Sequence, residues 1–363
     1  MPLVRGRAPN AEERMDERRL MLEAIGLARR ANAHPNPSVG ALVLDVSGTV
    51  VGRGFHQGPG SAHAEIVALS EAGEAAAGGT LVVTMEPCVH EGRTPPCTET
   101  VLDAGLRAVI VGTIDPDSRV AGRGIARLRE AGLEVVVGVA ADEVEALDPG
   151  YYHHRRTGKP RVTLKAALTL DGQAAASDGS SRWITSEEAR LNAHQLRAAA
   201  DAVAVGAGTV IADDPALTVR LPEYLGPQPL PVIFAGRRPL PPAAQLWERN
   251  PLVFCPHEAA YPGDVVVMPG PDGVDLAAAV DELGRRQILD LLVEGGPTIA
   301  GSFVRGGLVD RGVFYLAGGL AGGVGRPALE GAFSSLGAVR GVEILSVDRA
   351  GPDVRVEFTM EAH

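Results

Sequence analysis

The chain has 363 residues, too many for one average domain and about right for two, and 45% apolar with 22% charged residues is the balance of a protein that can bury a core. Its formal charge is −11 and its only lysines are Lys159 and Lys165, which argues against a basic grip on nucleic acid and for small-molecule substrates. No segment is apolar enough to span a bilayer, the polar start lacks a secretory h-region, and three cysteines make no disulfide framework, so a cytoplasmic location is expected.

Met21, Ala24, Ile25 and Ala28 recur at i, i+3, i+4 and i+7 and predict an opening helix with one apolar face. "VGALVLD" and "GTVVGRGFH" read as two strands turning at Ser47–Gly48, "HAEIVALSEAG" as a helix and "GTLVVTMEP" as a short buried strand. Two similar stretches follow, "AGLRAVIVG" (104–112) and "AGLEVVVG" (131–138). Each sets a glycine where a helix would end before a β-branched run. Helix-then-strand units in succession imply crossovers and parallel pairing, hence an α/β sandwich around one sheet. The polar, turn-rich "DPGYYHHRRTGKP" marks the boundary, with domains over 1–150 and 151–363. A second alternation then runs through "RVTLKAALTLDGQ", a helix from about Ser186, strands at "AVAVG", "LPVIFAG" and "PLVFC", a helix near Leu276–Arg286 and "DLLVEGGPTIAGSFVRGGL". A hairpin around Gly351–Pro352 closes the chain.

The first chemical constellation is "MEPCVHEGRTPPC", Met85 to Cys97, together with "HAE" at His63–Glu65. A disulfide is disfavoured by the cysteine count, and a lone histidine or cysteine is more often structural than a ligand. One imidazole and two thiolates nevertheless satisfy a catalytic zinc site, which needs three protein ligands and an open position. Should Cys88 open a helix, that helix N-terminus would favour its thiolate. Glu65, on the same helical turn as His63, is placed to shuttle a proton without being a ligand. Zinc lowers the pKa of water towards about 7, and H-x-E…P-C-x-x-C is the signature of zinc nucleobase deaminases. Here the second cysteine comes six residues later than that signature has it. Cys255 has no partner motif and reads as core.

The second constellation is "VEGGPTIAG" (293–301), where Gly295 and Gly296 let backbone N–H groups approach an anion at a helix start. Strand–helix turns carry glycines for purely steric reasons as well. "GAGTVIADDPALTVR" (206–220) adds Asp213, Asp214 and Arg220 in a stretch that also reads as a solvated loop.

"HPNPSVGALV", "HAE" and "EPCVHEGRTPPC" resemble the N-terminal domain of the bifunctional deaminase–reductases of riboflavin biosynthesis. "TLKAALTLDGQAA", "SRWITS", "ADDPALTVR" and "VEGGPT" resemble, in order, the reductase half of the same enzymes. The resemblance runs from about Asp16 to the end of the chain. It implies a cytidine-deaminase-like α/β/α sandwich followed by a dihydrofolate-reductase-like α/β domain, with Zn²⁺ and NADPH as cofactors. The implied substrate is a phosphoribosylaminopyrimidine, deaminated and then reduced at its ribosyl group, and the implied assembly is a homo-oligomer. By it His63, Cys88 and Cys97 bind zinc, Glu65 donates the proton and Asn36 helps hold the pyrimidine. Leu168, Trp183, Thr209, Asp213, Gly296, Pro297 and Thr298 then belong to the NADPH site. Ser181, Arg197, Leu217, Arg220 and Glu294 belong to the substrate site, the two arginines offering donor forks to a phosphomonoester. Lys165 joins Glu294 near the reacting carbon. The chain departs from the family at Val89–His90, Asp117, Ala235–Gly236 and Gly318–Gly319. Those departures keep two alternatives open, a degenerate non-reducing second half and a paralogue using a related pyrimidine.

Overall fold

The computed structural model describes residues 11–31, 33–89, 96–331, 333 and 335–361. His90 and residues 91–95 of the cysteine-bearing stretch lie outside the described residues. The chain forms two compact units, Met1–Thr157 and Gly158–His363.

In the first unit the order is α1 (Ala11–Ala28), β1 (Gly40–Leu44), β2 (Val50–Phe55), α2 (Ala64–Ala72), β3 (Thr80–Met85), α3 (Cys97–Asp103), β4 (Ala108–Thr113), α4 (Arg123–Glu130), β5 (Glu134–Val137), α5 (Ala141–Glu145) and α6 (Pro149–Thr157). The sheet runs β2-β1-β3-β4-β5. β1 is antiparallel to β2 and β3, while β3, β4 and β5 are parallel, as the two helix–strand repeats require. The stripe Met21, Ala24, Ile25, Ala28 is buried against Leu42, Leu44, Val82 and Ile110 on one face. Successive strand residues alternate faces, so Ala41 and Val43 point the other way, with their cross-strand partners Gly54 and Gly52. A Cβ at either glycine would collide with a carbonyl oxygen of α2, Ala64 or Ala68. Glycine there lets α2 lie directly on the sheet, which fixes His63 and Glu65 at its start.

The split falls inside "DPGYYHHRRTGKP", but later in it than 150/151. Most of that stretch is α6, which folds onto the first unit and carries the split to Thr157/Gly158. Its two tyrosines hold it there. The Tyr151 hydroxyl donates to Asp115 at 3.0 Å, and the Tyr152 hydroxyl bonds Thr113 in the floor of the sheet.

The second unit contains β6 (Arg161–Thr169), β7 (Gln173–Ala175), α7 (Glu187–Ala198), β8 (Ala202–Gly206), α8 (Ala207–Asp213), β9 (Leu230–Phe234), β10 (Leu252–Cys255), β11 (Asp264–Val267), β12 (Pro269–Gly270), β13 (Gly273–Val274), α9 (Leu276–Arg285), β14 (Asp290–Val293), α10 (Pro297–Arg305), β15 (Arg311–Ala317), β16 (Arg326–Pro327), β17 (Val342–Ala350) and β18 (Asp353–Met360). Its main sheet runs β11-β10-β9-β8-β14-β6-β15-β18-β17. The seven strands from β11 to β15 are parallel, and the β17–β18 hairpin closes one edge antiparallel to β15. Ser186 caps α7 by accepting from the Ala189 N–H, and Asp275 caps α9 from Ala278. Cys255 is buried in the core, as expected. The stretch from Gly206 opens a short helix, α8, rather than a solvated loop. Among the described residues no helix is long and apolar enough to cross a membrane.

Candidate active sites

His63 is the extended residue before α2 and Glu65 lies in that helix's first turn. Cys88 follows β3, and Cys97 is the first residue of α3. The helix start expected at Cys88 therefore belongs to Cys97, whose backbone N–H points at the Cys88 sulfur at 3.4 Å. His63 Nδ1 lies 3.0 Å from Cys97 Sγ and 3.7 Å from Cys88 Sγ, and all three donor atoms fall within 4.8 Å of one another. Burial pushes the Glu65 carboxyl up, and it reaches the Cys97 thiol without joining the donor triad. The Cys88 thiol is pulled down to about 4, first by its hydrogen bond with the Cys97 thiol, with His63 adding to the effect against burial.

These donors fit zinc. A tetrahedral ion with Zn–S near 2.3 Å and Zn–N near 2.0 Å sets neighbouring N and S donors roughly 3.6 Å apart, close to the separations from His63. One imidazole, one ready thiolate and a second thiol are also the chemistry zinc selects. Cys97→Ala is expected to lose bound zinc and deamination together, read by metal content and product mass. A variant retaining its zinc would remove Cys97 from the ligand set.

Asn36 has a partner that the sequence reading missed. Asn36 Nδ2 lies 3.0 Å from His56 Nε2, and the His56 ring meets the His63 ring edge-on at 5.3 Å between centroids. His56 Nδ1 faces the Ala62 carbonyl at 3.2 Å, which can only accept, so Nδ1 carries the proton and Nε2 accepts from Asn36. Burial lowers the His56 pKa and favours that neutral ring. Asp148 holds the same loop, meeting His34 Nε2 and accepting from the Ser38 N–H, both at 3.0 Å.

Glu86, two residues before Cys88, is a second group that the motif carried without its role being visible. Its buried carboxylate accepts from the Asp115 and Gly122 N–H groups at 3.0 and 2.7 Å. It thus ties the strand end bearing Cys88 to the 115–122 loop. Within that loop the departure at Asp117 is compensated, because Arg119 chelates the new carboxylate at 2.6 to 3.2 Å and holds it at about 2.

In the second unit, a cleft of about 1370 Å³ lies over the parallel strands. Trp183, Thr209, Asp213, Gly296, Pro297 and Thr298 line it, and so do Ser181, Arg197, Leu217, Arg220, Glu294 and Lys165. Leu168 does not. Its side chain is 3% exposed within β6, across from Leu316, and Ala166 and Ala167 of that strand reach the cleft instead. One of the two open arginine forks also needs correction. Arg197 spends its fork on Glu294, with Nε and an NH₂ group at 2.6 and 3.0 Å from the two carboxylate oxygens, while its other NH₂ donates to the Thr218 carbonyl. Arg220 is exposed and lines the cleft. Lys165 Nζ stands 3.9 Å from Glu294, and burial lowers its pKa. Burial works against the Glu294 charge, but Arg197 and then Lys165 outweigh it and hold the carboxyl below its usual range.

The cleft suits a dinucleotide. It exceeds the size of ordinary small-ligand pockets, and α10 opens on Gly296 and Pro297 with no side-chain oxygen capping its first turn. At Gly295 a Cβ would strike the Ile299 side chain, so the turn stays bare next to that helix start. Thr209 Oγ accepts from the Gly296 N–H at 3.1 Å and joins the two turns. Gly318 and Gly319 have open space around them, so no steric demand explains glycine there.

Fold and sites together define a zinc deaminase unit and a nucleotide-dependent reductase unit in one chain. Residues 14–113 match the cytidine and deoxycytidylate deaminase zinc-binding region, and residues 160–356 match the RibD C-terminal domain. The riboflavin biosynthesis protein RibD of Mycobacterium tuberculosis H37Rv is 42% identical over 344 residues, covering 92% of this chain and 95% of its own. That of Escherichia coli K12 is 37% identical, covering 94% and 98%. Among solved structures, Acinetobacter baumannii RibD superposes with a TM-score of 0.89 at 34% identity over 96% of this chain and 100% of its own. The Thermotoga maritima diaminohydroxyphosphoribosylaminopyrimidine deaminase/5-amino-6-(5-phosphoribosylamino)uracil reductase gives 0.86 at 32% identity over 96% and 99%. The chain belongs to the RibD family, the bifunctional deaminase–reductases of riboflavin biosynthesis.

Proposed function

We propose that the chain catalyses two successive steps. The first is hydrolytic deamination of 2,5-diamino-6-(5-phosphoribosylamino)pyrimidin-4-one, and the second is NADPH reduction of the product's ribosyl group to ribityl. The convergence of His63, Cys88 and Cys97 beside a buried Glu65 carries the first step. When bound there, zinc supplies a Lewis acid and a water ionised near neutral pH. Glu65 takes the proton of that water and passes it to the leaving ammonia, while the Asn36 amide, oriented by His56, holds the ring.

The second step uses the cleft. NADPH, when bound, supplies the hydride for the anomeric carbon, and the ring oxygen released there needs a proton. Lys165 and Glu294 stand together to hold and deliver it. The complete cleft and the paired Lys165–Glu294–Arg197 group argue against a degenerate second half. Incubating the protein with the diaminopyrimidine, with and without NADPH, and following products by mass tests both steps. Deamination without NADPH oxidation would sink the second, and a zinc-loaded sample that fails to deaminate would sink the first.

The assembly we propose is a homo-oligomer, with β17 meeting a second copy of this chain. β17 is an edge strand of the main sheet, and Val342, Ile344, Leu345 and Val347 are exposed along it. Ile344→Lys is expected to shift the sedimentation coefficient towards that of a monomer. An unchanged value would move the interface elsewhere. A cytoplasmic location fits three free thiols, two of them zinc donors that oxidation would disable.

A further inference from the structure

Asp148, Tyr151, Tyr152 and Arg155 fall at i, i+3, i+4 and i+7 and so share one face of α6. Asp148 caps the helix, accepting from the Tyr151 N–H at 3.3 Å with one oxygen, while the other accepts from Ser38 in the loop that carries Asn36. Tyr151 and Tyr152 bond Asp115 and Thr113, where β4 ends. Arg155 reaches both places at once. Its guanidinium lies over the Tyr151 ring, 4.8 Å from the centroid, and 14% of its side chain is exposed. A terminal nitrogen donates to the Pro35 carbonyl at 3.1 Å, and Nε stands 3.7 Å from the Asp117 carboxylate.

Residues 33–39 lie in neither helix nor strand, so the bonds their backbone makes to other segments decide how Asn36 is held. The Pro35 carbonyl belongs to the peptide that enters Asn36. The N–H of that same peptide donates to the Ala33 carbonyl at 2.8 Å, so its plane is fixed from both sides. Asp117, in turn, sits in the 115–122 loop that Glu86 ties to the strand end bearing Cys88. Arg155 therefore joins the segment holding Asn36 to the one anchored beside the metal donors. The match is electrostatic as well as geometric. Asp117 is a departure from the family, and its carboxylate gives a partly buried guanidinium a charge to face.

We propose that Arg155 is a positioning residue for the deamination, setting Asn36 against the zinc donors through Pro35 and Asp117 rather than by contact with the substrate. The proposal rests on the reading of this unit as the diaminopyrimidine deaminase. The planar guanidinium offers donors in several directions at once, so one side chain can hold two loops, which a lysine, with its single point of charge, cannot do in the same way.

The test uses the full-length, zinc-loaded protein and Arg155→Met, which keeps a stem over Tyr151 and removes both links. Its KM for the diaminopyrimidine is expected to rise about 10-fold, with kcat changed by less than about threefold. Hydrogen exchange over residues 33–38 should quicken by a similar factor, on the order of 10-fold. Arg119 stays on Asp117, so that carboxylate is not stranded, and zinc content and melting temperature are expected to hold. Arg155→Lys should give an intermediate KM, which also covers the case of a poorly folded methionine variant. Asp117→Asn is expected to raise KM in the wild type and to add nothing further in Arg155→Met, because the two act through one link. An unchanged KM, additive effects of the two substitutions, or zinc lost together with melting temperature would each overturn the proposal. A zinc-loaded wild type that deaminates nothing would bring down the deaminase reading and the proposal with it, an outcome distinct from an active wild type with an unaltered variant.

Discussion

Glu65→Gln is expected to keep its zinc and lose deamination, by roughly 10² to 10⁴ in kcat. The amide matches the carboxyl in shape, so the packing of α2 on the sheet through Gly52 and Gly54 is untouched. It cannot take up and release a proton, and Glu65 has that task because it is buried at 3% exposure beside the donors without being one of them. Metal content separates the outcomes. A variant that loses zinc would make Glu65 a ligand, and one that still deaminates within tenfold of wild type would end its role as proton carrier. Reduction of the deaminated substrate, carried out in the other unit, should be unaltered.

The zinc site was legible because its requirement is chemical before it is spatial. His63, Glu65, Cys88 and Cys97 must be these residue types, in this order, on element ends, whatever the rest of the chain does. The strands were legible through β-branched runs bounded by glycine, and Gly105 and Gly132 do take the positive φ that ends a helix turn. What was lost depends on partners distant in sequence. His56 is one of nine histidines, and only the Asn36 amide and the Ala62 carbonyl reveal its tautomer and its role. Glu86 is inside the motif, but its partners lie about 30 residues on. The stretch that forms α6 reads as turn-rich because its Pro, Gly and charges are turn residues locally, while the Tyr151–Asp115 bond that docks it is a tertiary fact. Arg197 was read as open because no local pattern shows that Glu294 closes its fork. Leu168 comes only from the resemblance, and the pleat decides which of its neighbours face the cleft.

Glu294→Ala is expected to destabilise the second unit by about 3–5 kcal/mol and abolish reduction while leaving deamination intact. Its side chain is 8% exposed, and it accepts both arms of Arg197 and stands 3.9 Å from Lys165. Removing it strands two partly buried cations, Arg197 and Lys165. For a unit of this size that loss lowers the melting temperature by roughly 10 °C. Because Arg197 and then Lys165 outweigh burial and leave the folded-state pKa of Glu294 depressed, its stabilisation is complete above the unfolded value, about 4.3, and is lost as pH falls through the lower folded value. Glu294→Gln should therefore flatten the acid side of the stability profile. Replacing the pair together, Arg197→Met with Glu294→Leu, is expected to recover much of the stability, since an apolar pair avoids the desolvation that the ions suffer. It should recover none of the reduction. Recovery of both would make the ion pair a packing element only, whereas stability regained with activity still absent places Glu294 at the reacting sugar.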